Sequence, residues 1–176
     1  LLINISNISM KHLILIRHGQ SEWNQQKRFT GWVDVGLTDK GRAEAKKAGE
    51  LIKEKKIKLD SFYSSYQKRA NDTLKIVMKE LNEDENLITK KWQLNERHYG
   101  ELTGLNKEDM KKKYGEEKIH QFRRSWDVKP GALDRKSPYH PLNIETYKDI
   151  PATNIPDTES LKDTHKRVVD CYCLLY

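Results

Sequence analysis

The sequence predicts an α/β fold with a largely parallel sheet. Three observations lead there. Between His12 and Trp92, short apolar runs alternate with amphipathic segments in the order strand, helix, strand, helix, strand. Such an order sets successive strands side by side through helical crossovers. The apolar runs are short and bounded by turn residues, as in buried strands. The segments between them carry apolar residues on one helical face only. A length of 176 residues suits one compact domain, or one with a subdomain.

Leu1 to Ser9 has little charge and no period, so residues 1–10 read as an N-terminal extension and Met10 as the functional start. His12 to Ile16 reads as a buried strand ending in Arg17-His18-Gly19. Thr38 is a suitable N-cap for a helix whose apolar face holds Ala45, Ala48, Leu51 and Ile52. Leu59 to Ser64 is the second strand. The second helix runs from Tyr66 to Leu81, with Ala70, Leu74, Val77, Met78 and Leu81 on one face. A polar, acidic connection, Asn82 to Asn86, leads to a third strand over Leu87 to Trp92. Beyond it, Lys107 to Tyr114 and Glu116 to Trp126 are short helices parted by Gly115. All five prolines lie between Pro130 and Pro156, so 130–157 reads as a long irregular loop of the kind that covers active sites. Thr158 to Tyr172 is the last helix, with Leu161, Val168, Val169 and Tyr172 inward.

Thirty-three Lys and Arg against 26 Asp and Glu leave a net charge of +7. That excess suits either nucleic acid or a small ligand with several negative charges, and composition does not separate them. A nucleic-acid binder needs a basic stripe with aromatic platforms. Here Lys46-Lys47 and Lys55-Lys56 are interleaved with Glu on helices, which is a solvated face, so no nucleic-acid partner is expected. Apolar runs such as Leu13 to Ile16 are too short to cross a bilayer, so no membrane association is expected. The first ten residues lack a basic region followed by an apolar core, so no secretory signal is expected. Cys171 and Cys173 cannot staple a fold and suit a reducing, cytoplasmic compartment. No His or Cys cluster has metal-ligand spacing, so no metal is expected.

Chemistry concentrates at Arg17-His18-Gly19. Ligands of parallel α/β sheets bind at the carboxyl ends of strands. A neutral imidazole is a competent nucleophile near pH 7 and can accept and pass on a phosphoryl group. Arg17 offers a planar fork to phosphate oxygens, and Gly19 lets the backbone approach a ligand. The same three residues, taken alone, also read as a capped strand with a surface His and Arg.

Several stretches extend this pattern: LILIRHGQSEWNQQKRFTGWVDVGLTDKGRAEA from Leu13, SSYQKRANDT from Ser64, and LNERHYGELTG from Leu94. Leu105-Asn106-Lys107, Arg123-Arg124 and ESLKDT from Glu159 follow in collinear order. Together, from about Lys11 to Val169, they resemble the histidine phosphatase superfamily, and within it the cofactor-dependent phosphoglycerate mutases. Arg-His-Gly marks only the superfamily; the FTGW and NERHYG stretches point to the mutases.

The resemblance implies a three-layer phosphoglycerate mutase-like fold with a mainly parallel central sheet. It implies an isomerase of glycolysis and gluconeogenesis that interconverts 2-phosphoglycerate and 3-phosphoglycerate, primed by 2,3-bisphosphoglycerate. His18 is then the residue phosphorylated, with Arg17 and Arg69 clamping the phosphoryl group. Glu96 is the general acid/base, because nearby phosphates disfavour its charged form; read by itself, it is an ion-pair partner of Arg97. Ser21, Asn24, Thr30, Gly31, Tyr99 and Lys107 map onto substrate contacts, with the Thr30-Gly31 backbone amides facing a carboxylate. Arg123 and Arg124 hold the distal phosphate or carboxylate, although an adjacent pair on a helix points in two directions and one is then structural. Trp23 and Trp32 are packing residues, and His98 packs or supports the site. His12, His120, His140 and His165 look bland. A homodimer or homotetramer is the family's habit.

The sequence also departs from the pattern. The family has a second catalytic histidine in a later His-Gly-Asn-Ser-Leu-Arg stretch, whereas no His-Gly follows Gly19 here. DCYCLLY after Val169 matches poorly, and Gln20 replaces the usual Glu. Residues 11–176 are therefore expected to form an incomplete mutase domain, lacking the C-terminal strand and segment. Three readings stand: a mutase working through phospho-His18, a truncated non-catalytic relative, and a phosphatase of small esters. The Thr30-Gly31 and Glu96 to Tyr99 stretches argue against the last.

Overall fold

The structure, a computed structural model, describes residues 12–173. The extension over 1–10, with its start at Met10, lies outside the described residues, as does the end of DCYCLLY.

The sheet in the described residues has two parallel strands, β1 (Phe62–Ser64) and β2 (Ile88–Lys90), with Phe62 opposite Ile88. The helix between them, α3 (Lys68–Leu81), makes the crossover that parallel pairing requires. Both strands are shorter than the apolar runs that predict them. The Lys91 N–H still donates to the Ser64 carbonyl at 2.8 Å, and a 3₁₀ turn over Trp92–Leu94 then turns the chain away.

The expected strand at His12 to Ile16 is not formed. Residues 12–20 have no regular structure, and Leu13 and Leu15 are 55% and 85% exposed. An apolar run becomes a strand only when a neighbour accepts its ladder. Among the described residues β1 and β2 pair with each other and not with this run. The chain is tied to the rest of the fold at His18 and Gly19. The Gly19 N–H donates to Thr73 Oγ1 at 3.2 Å, and a Cβ at Gly19 would lie 2.1 Å from the Gly41 carbonyl oxygen. That close approach lets the loop bearing His18 lie on the first turn of α2 (Asp39–Glu54).

Thr38 caps α2 as expected, accepting from the Gly41 N–H. Its buried face differs from the prediction. Gly41, Ala45 and Gly49 are buried, whereas Leu51 is 48% exposed. Small residues recurring every four positions let α2 and α3 approach closely: a Cβ on Gly49 would meet the Glu80 Cβ at 2.8 Å. The large apolar residues fall beside this seam. On α3 the row Arg69, Thr73, Val77 is buried together with Met78, while Ala70 and Leu74 are only half-buried. The start of that row is polar, and both Arg69 and Thr73 are hydrogen-bonded. A short unpredicted helix, α1 (Glu22–Gln25), is closed by a capping box between Ser21 and Asn24.

Helices α4 (Lys107–Tyr114) and α5 (Glu116–Arg124) meet at Gly115, whose φ of +86° suits glycine. α5 stops at Arg124, short of Trp126. The last helix, α6 (Leu161–Cys173), starts later than expected and turns Arg167 and Cys171 inward, leaving Val169 and Tyr172 partly exposed. Residues 130–157 are irregular but ordered by three 3₁₀ turns, at Pro141–Asn143, Glu145–Tyr147 and Ala152–Asn154.

Two apolar clusters hold the molecule together. One joins Phe29, Leu102, Ile119 and Phe122. The other joins Trp32 to Tyr147, Ile150 and Ile155 from the proline-containing loop. Phe29 and Trp32 flank Thr30-Gly31, so one short loop is anchored in both clusters.

Candidate active site

With Phe29 and Trp32 locked, Thr30 and Gly31 are stretched between two cores. Gly31 has φ +55°, and a Cβ there would press on Tyr99 N at 3.2 Å and the Arg97 carbonyl oxygen at 3.3 Å. Only glycine lets this backbone lie against residues 97–99 at that φ. Thr30 is buried, and its Oγ1 has no hydrogen-bond partner among the described residues.

Arg69 sits in the first turn of α3, fully buried. Its guanidinium donates through Nη1 to the Val33 carbonyl at 2.9 Å and through Nη2 to the Gly31 carbonyl at 2.8 Å. Nη2 also reaches Glu96 Oε2 at 2.8 Å, and Nε donates to His18 Nε2 at 3.2 Å. A buried Arg so fully engaged is a fixed positive group rather than a mobile one.

The partners of His18 decide its tautomer. Nδ1 lies 2.7 Å from the Gly19 carbonyl, which can only accept, and Nε2 faces an Arg N–H, which can only donate. The proton is therefore on Nδ1, and Nε2 carries the lone pair. Burial pushes the His18 pKa below its ordinary 6.5, and the Arg69 and Arg17 cations push the same way, against the Gly19 carbonyl and Glu96. The imidazole is thus neutral at pH 7, with the nitrogen that could attack pointing at Arg69.

Glu96 pairs with Arg69 and not with Arg97, its neighbour in sequence. Arg97 is turned away: its Nη2 donates to the Arg123 carbonyl at 2.8 Å, and its guanidinium lies 4.9 Å from the Tyr99 ring centre. Tyr99 also packs on Phe29, and burial with the Glu96 charge raises its hydroxyl pKa.

The remaining cations gather at one side. Burial lowers the Lys107 pKa, and the charges of Arg123 and Arg17 add to this against the pull of Glu96. Lys107, Arg123 and Arg17 therefore share one electrostatic neighbourhood with Glu96. Of the adjacent arginines, Arg123 is half-buried and acts on this group, while Arg124 is exposed. Ser21 caps α1 and Asn24 lies within it, directly after the segment that bears His18. There the Ser21 Oγ accepts from the Asn24 N–H at 3.2 Å, and Asn24 Oδ1 accepts from the Ser21 N–H at 3.3 Å.

Two histidines are fully buried: His140, which looks bland in sequence, and His98, which is expected to pack or support the site. His140 Nε2 meets Asp157 Oδ1 at 3.0 Å and its Nδ1 accepts from the Leu142 N–H. His98 Nδ1 accepts from the Gly100 N–H at 2.9 Å, and burial pushes its pKa down to about 3. His12, His120 and His165 are exposed.

Sequence reasoning misses three positioning groups. Gln67 links Gly31 to Glu96. Asp34 accepts from the Lys68 N–H at 2.6 Å and so caps α3 from a distant loop. Arg167 pairs with Glu159 and donates to the carbonyls of Gln93, Asn95 and Glu96. Gln67 and Asp34 lie within matching stretches, SSYQKRANDT and the run from Leu13, while Arg167 lies outside them and pairs with Glu159 of ESLKDT. Among the described residues no group of His, Cys, Asp or Glu is arranged to hold a metal ion, and no helix is long and apolar enough to cross a membrane.

The chain is similar to known proteins in sequence and in fold. The family model of the histidine phosphatase superfamily (branch 1) matches residues 13–143. The chain is 67% identical over 163 residues to the 2,3-bisphosphoglycerate-dependent phosphoglycerate mutase of Pelagibacter ubique (strain HTCC1062), covering 93% of this chain and 68% of that protein. To the protein of the same name from Borreliella burgdorferi (strain ZS7) it is 50% identical over 160 residues, covering 91% of this chain and 64% of the relative. It therefore spans about two thirds of the length of these relatives. Among solved structures, a mycobacterial glucosyl-3-phosphoglycerate phosphatase complexed with VO3 superposes with a TM-score of 0.66 at 20% identity, covering 90% of this chain and 61% of that one. A Bacillus stearothermophilus protein gives 0.61 at 23%, covering 90% and 64%. At such identities these two establish the α/β fold alone. The 67% relative goes further: this chain belongs to the histidine phosphatase superfamily and, within it, to the family of 2,3-bisphosphoglycerate-dependent phosphoglycerate mutases.

Proposed function

We propose that this chain carries the phosphohistidine chemistry of a mutase that interconverts 2-phosphoglycerate and 3-phosphoglycerate. The observation that carries the reading is the tautomer of His18, whose Nε2 lone pair is free of a proton and faces a buried arginine. Nε2 attacks phosphorus, the phosphorus–oxygen bond to the substrate breaks, and the departing oxygen takes a proton. Glu96, partly exposed and 2.8 Å from Arg69, is the group to give that proton and to take it back on return. Arg69 and Arg17 then meet the charge spread over the phosphoryl oxygens.

The residues present fit 2,3-bisphosphoglycerate. Burial lowers the Lys107 pKa first, and the charges of Arg123 and Arg17 lower it further against the pull of Glu96; none of the three cations has a carboxylate in ion-pair reach among the described residues. A ligand bearing several negative charges relieves that repulsion. The buried Thr30 Oγ1 still lacks a partner. When bound, the cofactor supplies the phosphoryl group that primes the enzyme. Arg17, Lys107 and Arg123 are the residues to hold its phosphates and carboxylate, with Ser21, Asn24, the Thr30-Gly31 amides and Tyr99 orienting it; the exposed Arg124 is left out of this set. The reading includes a cytoplasmic setting and a homodimer or homotetramer without nucleic acid.

Incubation with 2,3-bisphosphoglycerate labelled in its phosphates tests this. Acid-labile label should appear on the wild-type chain and vanish in His18→Ala. Because the His18 pKa is depressed, labelling should persist below pH 6.5. An unlabelled wild-type chain refutes the reading.

A further inference from the structure

Gln67 is buried at the residue before α3. Residues in that position usually cap their own helix, yet its side chain makes no such bond; Asp34 serves the helix instead. The backbone of Gln67 is already fixed, its N–H on Ser65 Oγ and its carbonyl accepting from Ala70, Asn71 and the Asn71 side chain. The amide is left for something else.

Its two ends have unambiguous partners. Nε2 lies 2.8 Å from the Gly31 carbonyl, which can only accept, and Oε1 lies 3.1 Å from the Glu96 N–H, which can only donate. The Gly31 carbonyl also accepts from Arg69 Nη2, and that same nitrogen binds Glu96 Oε2. Gln67, Gly31, Arg69 and Glu96 therefore form a closed ring. Arg69 holds the Glu96 carboxylate, and Gln67 holds the Glu96 backbone, both referenced to one carbonyl. A long side chain held only at its tip still swings about its base; held at both, it is fixed in place. No sequence-local contact does this, since Glu96 lies 29 residues from Gln67.

We propose that Gln67 is the positioning residue of the acid/base step: by bridging Gly31 and the Glu96 backbone, it sets the place of the Glu96 carboxylate beside His18 and Arg69. The inference rests on the proposed function for the role of Glu96, but its structural content can be tested apart from turnover. Displacements near 1 Å can slow a reaction by about 100-fold. Gln67→Leu, which keeps the volume and removes both bonds, should therefore slow His18 phosphorylation by 2,3-bisphosphoglycerate by about 10- to 100-fold at an unchanged half-saturating concentration. In a Glu96→Gln background the same change should cost under about 3-fold, because the group that Gln67 positions is already lost. Gln67→Glu keeps the acceptor for Glu96 and gives up the donor to Gly31, so its loss should be intermediate. A folded Gln67→Leu with the wild-type rate, or an equal loss with and without Glu96, overturns the proposal. Should Gln67→Leu fail to fold, a wild-type rate in Gln67→Glu does the same.

A second readout needs no turnover. The charges facing His18 are Arg17, Arg69 and Glu96. Releasing Glu96 weakens the one charge that favours the imidazolium, so the His18 midpoint followed by NMR should fall in Gln67→Leu. An unlabelled wild-type chain with a shifted midpoint defeats the proposed function and leaves the bridge standing. An unchanged midpoint defeats the bridge.

Discussion

Removing the Arg167 side chain should damage the protein far more than its place on a polar helix suggests. Arg167 and Glu159 are a buried pair, their side chains 10% and 5% exposed. The guanidinium donates to Glu159 Oε1 at 2.7 Å and Oε2 at 2.9 Å, and to the carbonyls of Asn95 at 2.9 Å and Glu96 at 3.1 Å. Glu159 in turn accepts from the His98 N–H at 2.8 Å. Arg167→Ala leaves a buried carboxylate without its counter-charge, a loss of about 3–5 kcal/mol. The freed carbonyls add less, because water can enter the space left by the side chain. A typical domain has only about 5–15 kcal/mol in all. For a chain of this size the change corresponds to a fall in Tm of roughly 6–20 °C. Urea unfolding followed by circular dichroism measures it. Arg167→Met with Glu159→Leu, which removes both charges, should regain part of the loss. A destabilisation by Arg167→Ala below about 1 kcal/mol, the range of an exposed pair, would refute the reasoning.

Two further outcomes follow from the same geometry. His98 is buried and neutral, with its pKa lowered from 6.5 to about 3. Below pH 6.5 the unfolded chain takes up a proton that the folded chain refuses, so stability falls as pH drops from 6.5 toward 3, by up to about 1.4 kcal/mol per pH unit. His98→Asn should flatten the urea midpoint between pH 6.5 and 5, above the range where carboxylates titrate, and an unaltered slope there would contradict the assignment. Asp34 caps α3 in trans and accepts from Thr146 Oγ1 at 2.7 Å. Asp34→Ala should cost about 1–2 kcal/mol and loosen the 144–147 turn, visible as faster amide exchange at Tyr147; unchanged exchange would count against that coupling.

The start of α2 and the break between α4 and α5 were legible because their determinants are local, whereas the cap of α3, Asp34, comes from a distant loop. Thr38 and Gly115 act on residues within a turn of themselves. Which face of each helix is buried was less legible. Apolar periodicity favours Leu51, whereas the α2–α3 seam selects small residues, Gly41, Ala45 and Gly49. Close helix packing rewards a missing side chain, and hydrophobicity does not register that.

By itself the sequence determined which chemical groups are present: the His18 imidazole, the arginines, the Thr30-Gly31 loop and the Glu96 carboxyl, all within stretches of recognisable order. The tertiary structure decided how they are connected. It gave Glu96 to Arg69, 27 residues away, rather than to adjacent Arg97. It put Lys107 within the field of Arg123 and left Arg124 exposed, and it made Gln67 and Arg167 the supports of one loop. It also left His12 to Ile16 without a ladder. A motif fixes which groups are present through local order in the chain. Strand ladders and the hydrogen bonds between distant segments, such as Arg69 to Glu96 and Gln67 to Gly31, are settled by distance in space, which only folding sets.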